Sequence, residues 1–343
     1  MRIAIATVQV PFISGGAEAL ARGLSDACKL AGHDVETVTM PFRFFPDSEV
    51  TRTMANWEAE NFANINGYNP DVVICLKFPA YYLSHHNKVV WLLHQHRSVY
   101  DLWDSENPAS PEALALREQI IAKDTAHLSG VKRVYTIAKN VSKRLLKYNG
   151  VESTALYHPP PLAAGLYSAK PQPFIFMPSR LETLKRQGLL IRAMKFVKSP
   201  MAALIGGDGG QRPQYEKLIG EFEVGNRVRL LGNLTDREML GYYASSLAVF
   251  FGPKDEDYGY VTLEAMLARK PVITCTDSGG PLEFVVDGET GLVVPPEPEE
   301  IAAAIDKLYY NQSFSIDLGA AAFSHYHSMN FSWERAAAEL LKS

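Results

Sequence analysis

Short apolar runs and amphipathic stretches alternate along almost the whole chain. The first run, Arg2-Ile3-Ala4-Ile5-Ala6-Thr7, predicts a buried strand; residues 17–31 carry the apolar spacing of a helix, and residues 35–39 read as a second strand. Further strands are predicted at 71–75, 88–93, 131–138, 174–177 and 247–251, at 271–275, from Ala203 into a glycine-rich loop, at 227–233 with its turn, and at 287–294 with its turn. Between them fall predicted helices over 57–64, 111–128 and 298–309, others opening at Asn140 and at a Thr235 or Asp236 cap, one running through Ile191, Met194 and Val197, and a last one introduced at Phe331 and ending at Leu341. The strand–helix–strand opening, and the return of strand and helix along the rest of the chain, predict an α/β protein built on doubly wound parallel sheets, whose ligands sit beyond the carboxyl ends of the strands.

A chain of 343 residues that is 47% hydrophobic is long enough for two cores. The prolines of His158-Pro159-Pro160-Pro161 and Pro171-Gln172-Pro173 interrupt any strand and mark a linker, so the expected domains are residues 1–169 and 170–330, followed by a terminal helical segment, 331–343. A net charge of −4 argues against a protein that coats nucleic acid. Cys28, Cys75 and Cys275 show neither pairing nor metal-ligand spacing, which points to a reducing cytoplasm. Neither a secretory signal pattern nor an apolar run of roughly 20 residues is present.

Candidate chemistry concentrates between Gly252 and Glu283. The apolar run 247–251 stops at Gly252-Pro253, and acidic residues with Gly259 lead into good helix formers from Tyr260 and Val261. The unpaired N–H groups of a first helical turn suit a phosphate, and Gly259 permits close approach to the backbone. Glu256 precedes that helix, while Glu264 lies one turn inside it on an apolar stripe, where a carboxylate requires donors such as sugar hydroxyls. The alternative is structural: Glu256 as a helix cap and Glu264 in an ion pair. Two further strand ends carry candidates. Gly15 and Gly16, after the first strand, can offer N–H groups to an anion, although the pattern is not the G-x-G-x-x-G of a nicotinamide site. Arg180 and Lys185, after the strand at 174–177, place two positive charges where a helix begins. His94 ends the strand at 88–93 and points into the expected crevice, unless it is merely structural.

The string from Glu256 to Met266 closely resembles the E-x7-E signature of the family 4 (GT4) retaining glycosyltransferases, with Glu256 and Glu264 enclosing seven residues. Arg180-Leu181 with Lys185, the glycine loop from Gly206, and Gly15-Gly16-Ala17-Glu18 resemble the same family, strongly over 174–294 and more weakly before it; Ser179 and Gln95 stand where the family commonly has a glycine and an acid. The resemblance implies a GT-B fold, two Rossmann-like domains facing a central cleft, with the acceptor held by the first and the nucleotide sugar by the second. It implies a hexosyltransferase that moves sugar from a UDP- or GDP-sugar to a glycan or lipid-linked hydroxyl in cell-surface polysaccharide or glycolipid synthesis.

In that reading Arg180 and Lys185 stabilise the leaving diphosphate, aided by backbone N–H groups at Gly15, Gly16, Gly259, Tyr260 and Val261. Glu256 holds sugar hydroxyls, Glu264 the ribose, and His94 the sugar near its reacting carbon. No cofactor and no metal is expected, because the two basic side chains replace a metal's charge. A locally basic segment (Lys132, Arg133, Lys139, Lys143, Arg144, Lys147) can attract anionic lipids, for peripheral contact at the inner membrane face, or can be a solvated helix face. Two other functions fit the same cleft: a nucleotide-sugar epimerase or hydrolase, and a non-catalytic sugar-binding subunit.

Overall fold

The computed structural model describes residues 1–13, 15–104 and 109–342. Ser14, part of the first glycine loop expected above, lies outside the described residues. The chain forms two compact units, one of residues 1–158 with 332–343, the other of residues 159–331.

The first unit holds six strands: β1 (Arg2–Gln9), β2 (Asp34–Pro41), β3 (Val72–Cys75), β4 (Lys88–Leu92), β5 (Arg133–Thr136) and β6 (Thr154–Ala155). They pair in parallel in the order β2-β1-β3-β4-β5-β6. The order reverses between β1 and β3, and loops at such a switch point open a crevice at the carboxyl edge. The second unit holds β7 (Phe174–Pro178), β8 (Ala202–Gly206), β9 (Val228–Gly232), β10 (Ala248–Phe250), β11 (Val272–Cys275) and β12 (Gly291–Val294), also all parallel, in the order β12-β11-β10-β7-β8-β9. Here the switch point lies between β7 and β10. All residues of β3, β10 and β11 are buried, as strands covered by helices on both faces require.

Most of the strands expected from apolar runs are present, with ends shifted by one to three residues. Four elements differ, among them the helix Arg212–Glu221, which was not expected between β8 and β9. The helix expected at 57–64 runs instead over Asp47–Ala59, with Val50, Met54 and Trp57 buried at helical spacing. The two-residue β6 has too little pattern to show in a sequence. The helix Gln312–Ser328 was not expected: beside Leu318 and Tyr326 it packs Ser315, Gly319 and Ala322, and a Cβ at Gly319 would sit 2.2 Å from the Arg269 carbonyl oxygen.

Residues 159–169, assigned by their prolines to the first domain, group with the second unit. The Ala169 N–H donates to the Ala244 carbonyl at 2.9 Å, and the Lys270 ammonium donates to the Ala169 carbonyl at 3.1 Å. Burial pulls the Lys270 pKa down to about 8. The last helix, Trp333–Leu340, is capped by Ser332 and packs within the first unit. Gly23 admits it, since a Cβ there would lie 2.3 Å from the Trp333 ring. Arg133 donates to the carbonyls of Leu340 (3.1 Å) and Lys342.

Within the basic segment, Arg133 holds the terminal backbone and the buried Arg144 pairs with Asp101 at 3.4 Å, while Lys132, Lys143 and Lys147 are exposed. No helix among the described residues is long and apolar enough to cross a membrane.

Candidate active site

In the second unit the two loops at the switch point carry the basic and acidic candidates. Residues 179–186 follow β7 and residues 251–259 follow β10, so Arg180, Lys185, Glu256 and Gly259 share one sheet edge. The Lys185 ammonium forms an ion pair with the Glu256 carboxylate, both half-buried, and lies 5.7 Å from the centre of the Phe251 ring. The N-cap of the helix that follows is Gly259. Arg180 is more exposed, 4.0 Å from Glu182, and its carbonyl accepts a 2.7 Å hydrogen bond from the buried Gln187 amide.

The backbone at this edge is tied together tightly. The Lys254 N–H donates to the Leu184 carbonyl (2.8 Å), joining the two loops. The Glu256 N–H donates to the Ser278 carbonyl, and the Gly280 N–H returns a bond to the Glu256 carbonyl, each 2.8 Å, so the turn after β11 braces the same loop. The glycine loop after β8 serves the residues around Arg180: Ser179 donates to the Gly206 carbonyl, and a Cβ on Gly207 would lie 2.2 Å from the Ser179 carbonyl oxygen. Gly259 adopts φ +88°, a left-handed conformation open to glycine, and starts the helix Tyr260–Leu267 with Tyr260 and Val261 as its first residues.

Glu264 is 6% exposed, and the Tyr243 hydroxyl donates to its carboxylate at 2.6 Å. Burial pushes the Glu264 pKa up to about 7, against the Tyr243 hydrogen bond, which lowers it; the charge on Asp236 adds to the rise. The structural ion pair considered for Glu264 is absent: its charged partner is replaced by a phenol. The Tyr260 phenol is also pushed well up, by burial and then by the Glu264 charge.

Arg186 is the site residue that sequence reasoning missed. It stands at φ +55° and donates to the carbonyls of Gly252 (2.8 Å) and Pro253 (2.6 Å) and to both carboxylate oxygens of Asp277 (2.9 and 2.6 Å). One side chain thus ties the start of the β10 loop to the β11 turn. Its neighbour Lys185 drew attention through its spacing; a basic residue beside it carries no comparable mark in the sequence.

Gly15, Gly16 and His94 belong to the first unit. Gly15 precedes the helix Gly16–Leu30, and its N–H already donates to the Glu18 carboxylate at 2.7 Å, so an anion there has to displace that carboxylate or use other N–H groups. His94 is half-buried with Nδ1 2.7 Å from the Gln95 carbonyl, which that nitrogen meets as a donor, leaving Nε2 as the acceptor in the neutral ring. Gln95 turns inward, donating to the Asn149 side chain at 2.5 Å; Asn149 donates to Tyr100, and Tyr81, Tyr82 and Tyr100 all donate to the buried Asp124. The amide in the acid's place thus anchors the loop from within. His96 lies between Phe78 (5.0 Å) and Phe44 (6.1 Å), and burial lowers its pKa to about 4, so it is a neutral packing ring. Arg97 fixes the loop through Asp101 (2.6 Å). Among the described residues no group of three or more His, Cys, Asp or Glu is arranged to hold a metal.

Residues 164–325 match the family model described as glycosyl transferases group 1. A segment is 32% identical over 108 residues to the alpha-1,3/1,6-mannosyltransferase ALG2 of Mus musculus, covering 32% of this chain and 26% of the relative. Another is 31% identical over 175 residues to the D-inositol 3-phosphate glycosyltransferase of Corynebacterium jeikeium, covering 48% and 41%. The matches thus span less than half the length of these curated relatives. Among solved structures, sucrose-phosphate synthase of Thermosynechococcus elongatus superposes with a TM-score of 0.79 at 20% identity over 99% of this chain and 97% of that one. HepE of Anabaena, in complex with UDP-glucose, does so with a TM-score of 0.71 at 17% identity over 99% and 98%. The fold of this chain, two Rossmann-like α/β units, is that of the GT-B glycosyltransferases.

Proposed function

We propose that the protein is a retaining glycosyltransferase of family 4 that moves a sugar from a UDP- or GDP-sugar to a hydroxyl of a glycan or lipid-linked acceptor. The Lys185–Glu256 ion pair at the switch point of the second unit carries this reading. A diphosphate arriving there competes for the Lys185 ammonium and frees the Glu256 carboxylate to accept hydrogen bonds from sugar hydroxyls. Arg180, exposed on the same loop as Lys185, adds a second positive charge, and the first-turn N–H groups of Tyr260 and Val261 add dipoles. As the bond from the anomeric carbon to the diphosphate breaks, negative charge grows on the leaving oxygens, and preorganised donors lower that barrier. The acceptor oxygen takes the anomeric carbon and gives up its proton. With two cations available the reaction is proposed to proceed without a metal. Ribose hydroxyls are matched to Glu264, and His94 of the first unit is assigned to the sugar.

The test is thermal stability against UDP, GDP, ADP and their sugar conjugates. A ligand at about 100 times its Kd stabilises by about 2.7 kcal/mol. Selective stabilisation names the donor, and product analysis with added acceptors then separates transfer from epimerisation or hydrolysis. No shift with any nucleotide overturns the proposal.

A further inference from the structure

Two loops at the carboxyl edge of the first unit expose large apolar side chains. Phe12 is fully exposed (107%) and Ile13 is 42% exposed in the loop after β1; Phe44 (55%) and Phe45 (81%) follow β2. The loops leave the sheet side by side, since Gln9 pairs with Pro41 in the parallel register and the Phe42 N–H donates to the Gln9 carbonyl at 2.8 Å. Phe12 also adopts φ +64°, a conformation costly for a bulky residue. Strain and a phenyl ring held in water are two separate penalties at one position, and a glycine or asparagine would avoid both.

Phe44 is held from beneath. Its ring meets that of buried Phe42 edge-on at 5.0 Å and stacks on His96, which stacks in turn on Phe78. The neighbouring charges balance: Arg43 and Arg52 both reach Glu49, at 3.4 and 2.5 Å, and Asp47 beside them brings the local sum to zero. What the loops offer is apolar side chains on a firm base, with little uncompensated charge. Protein partners of standard size require about 800 Å² per side, more than two short loop ends supply. A lipid surface requires only that apolar groups reach the boundary between headgroups and acyl chains.

We propose that Phe12, Ile13, Phe44 and Phe45 insert into a lipid surface and hold the first unit against it. His94 lies two residues from His96 at the same edge, so a lipid-anchored acceptor would be offered where the transferase reading needs it; that consequence, though not the insertion, rests on that reading.

The experiment is co-sedimentation of the full chain with phosphatidylcholine vesicles at 0.1 and 1 M KCl. Partition that persists at high salt, falls at least about tenfold in Phe12→Ser/Phe45→Ser with no loss of folding stability, and is unaffected in Lys143→Gln/Lys147→Gln is the expected result. No partition overturns the proposal. So does partition confined to vesicles containing phosphatidylglycerol, lost at 1 M KCl and abolished by the lysine variant, which assigns lipid binding to the basic helix. A dimer in the wild type that the phenylalanine variant loses assigns the surface to a second copy and also overturns it. Nucleotide-dependent stabilisation of the same samples reports on the transferase reading separately.

Discussion

Glu264 sets a pH dependence that separates a ligand-binding carboxylate from a structural one. Its pKa is raised to about 7 from 4.5, first by burial, so the folded protein binds this proton more tightly than the unfolded chain. Stability from this group is therefore present in full below pH 4.5, falls as pH rises toward 7 and stays low above it, a loss of about 3 kcal/mol by linkage. If ribose hydroxyls donate to the carboxylate, they favour its charged form, and binding releases a proton. Nucleotide affinity should then rise with pH below 7, by up to about tenfold per pH unit, and level off above it. Isothermal titration between pH 5.5 and 8 in buffers of differing ionisation enthalpy measures both the affinity and the released proton. Asp124, also raised by burial, to about 6, titrates in the same pH range, so the comparison is with Glu264→Gln, which retains Asp124. Wild type and Glu264→Gln with the same flat affinity profile would refute the ribose contact and return Glu264 to a purely structural role with Tyr243.

Removing the Lys185 ammonium in Lys185→Ala should lower kcat by about 10²- to 10³-fold with the protein still folded, and Arg180→Ala should act in the same direction; rapid-quench kinetics on circular-dichroism-checked protein decides it. Arg186→Ala loses hydrogen bonds to two carbonyls and a carboxylate, so urea unfolding should show a loss of about 2 kcal/mol, and Arg186→Lys should not restore it because a single ammonium cannot reproduce the fork. Gly23→Leu forces a side chain into the Trp333 ring and should cost about 1–3 kcal/mol while nucleotide-dependent stabilisation persists. Replacing His94 with alanine should slow single-turnover transfer; an unaltered rate would make it structural.

The sheets were legible because parallel strands buried on both faces read as continuous apolar runs, such as Val72-Val73-Ile74-Cys75 and Val272-Ile273-Thr274-Cys275. Elements held by backbone approach were not. Nothing in the periodicity of Gln312–Ser328 announces a helix whose Gly319 lies against the Arg269 carbonyl, and residues 159–169 join the second unit through Leu162 and Leu166 against its core, the buried Lys270 and a few backbone bonds. Prolines marked where the chain cannot be a strand; they could not say which unit the linker packs on.

The same distinction runs through the candidate site. Lys185, Glu256, Gly259 and Glu264 were visible because their spacing is tied to local geometry, a strand end, a left-handed glycine and one helical turn. Arg186, Tyr243 and Asp277 act across 66 residues, 21 residues and 91 residues of chain respectively, and such partnerships leave no local pattern. Yet they decide how the visible residues behave. Tyr243 supplies the hydrogen bond that opposes the full effect of burial on Glu264, and Arg186 holds the loop from which Glu256 reaches Lys185. A short motif can therefore single out the side chains proposed to face a ligand, whereas their protonation and rigidity come from residues that only the folded topology brings to the switch point.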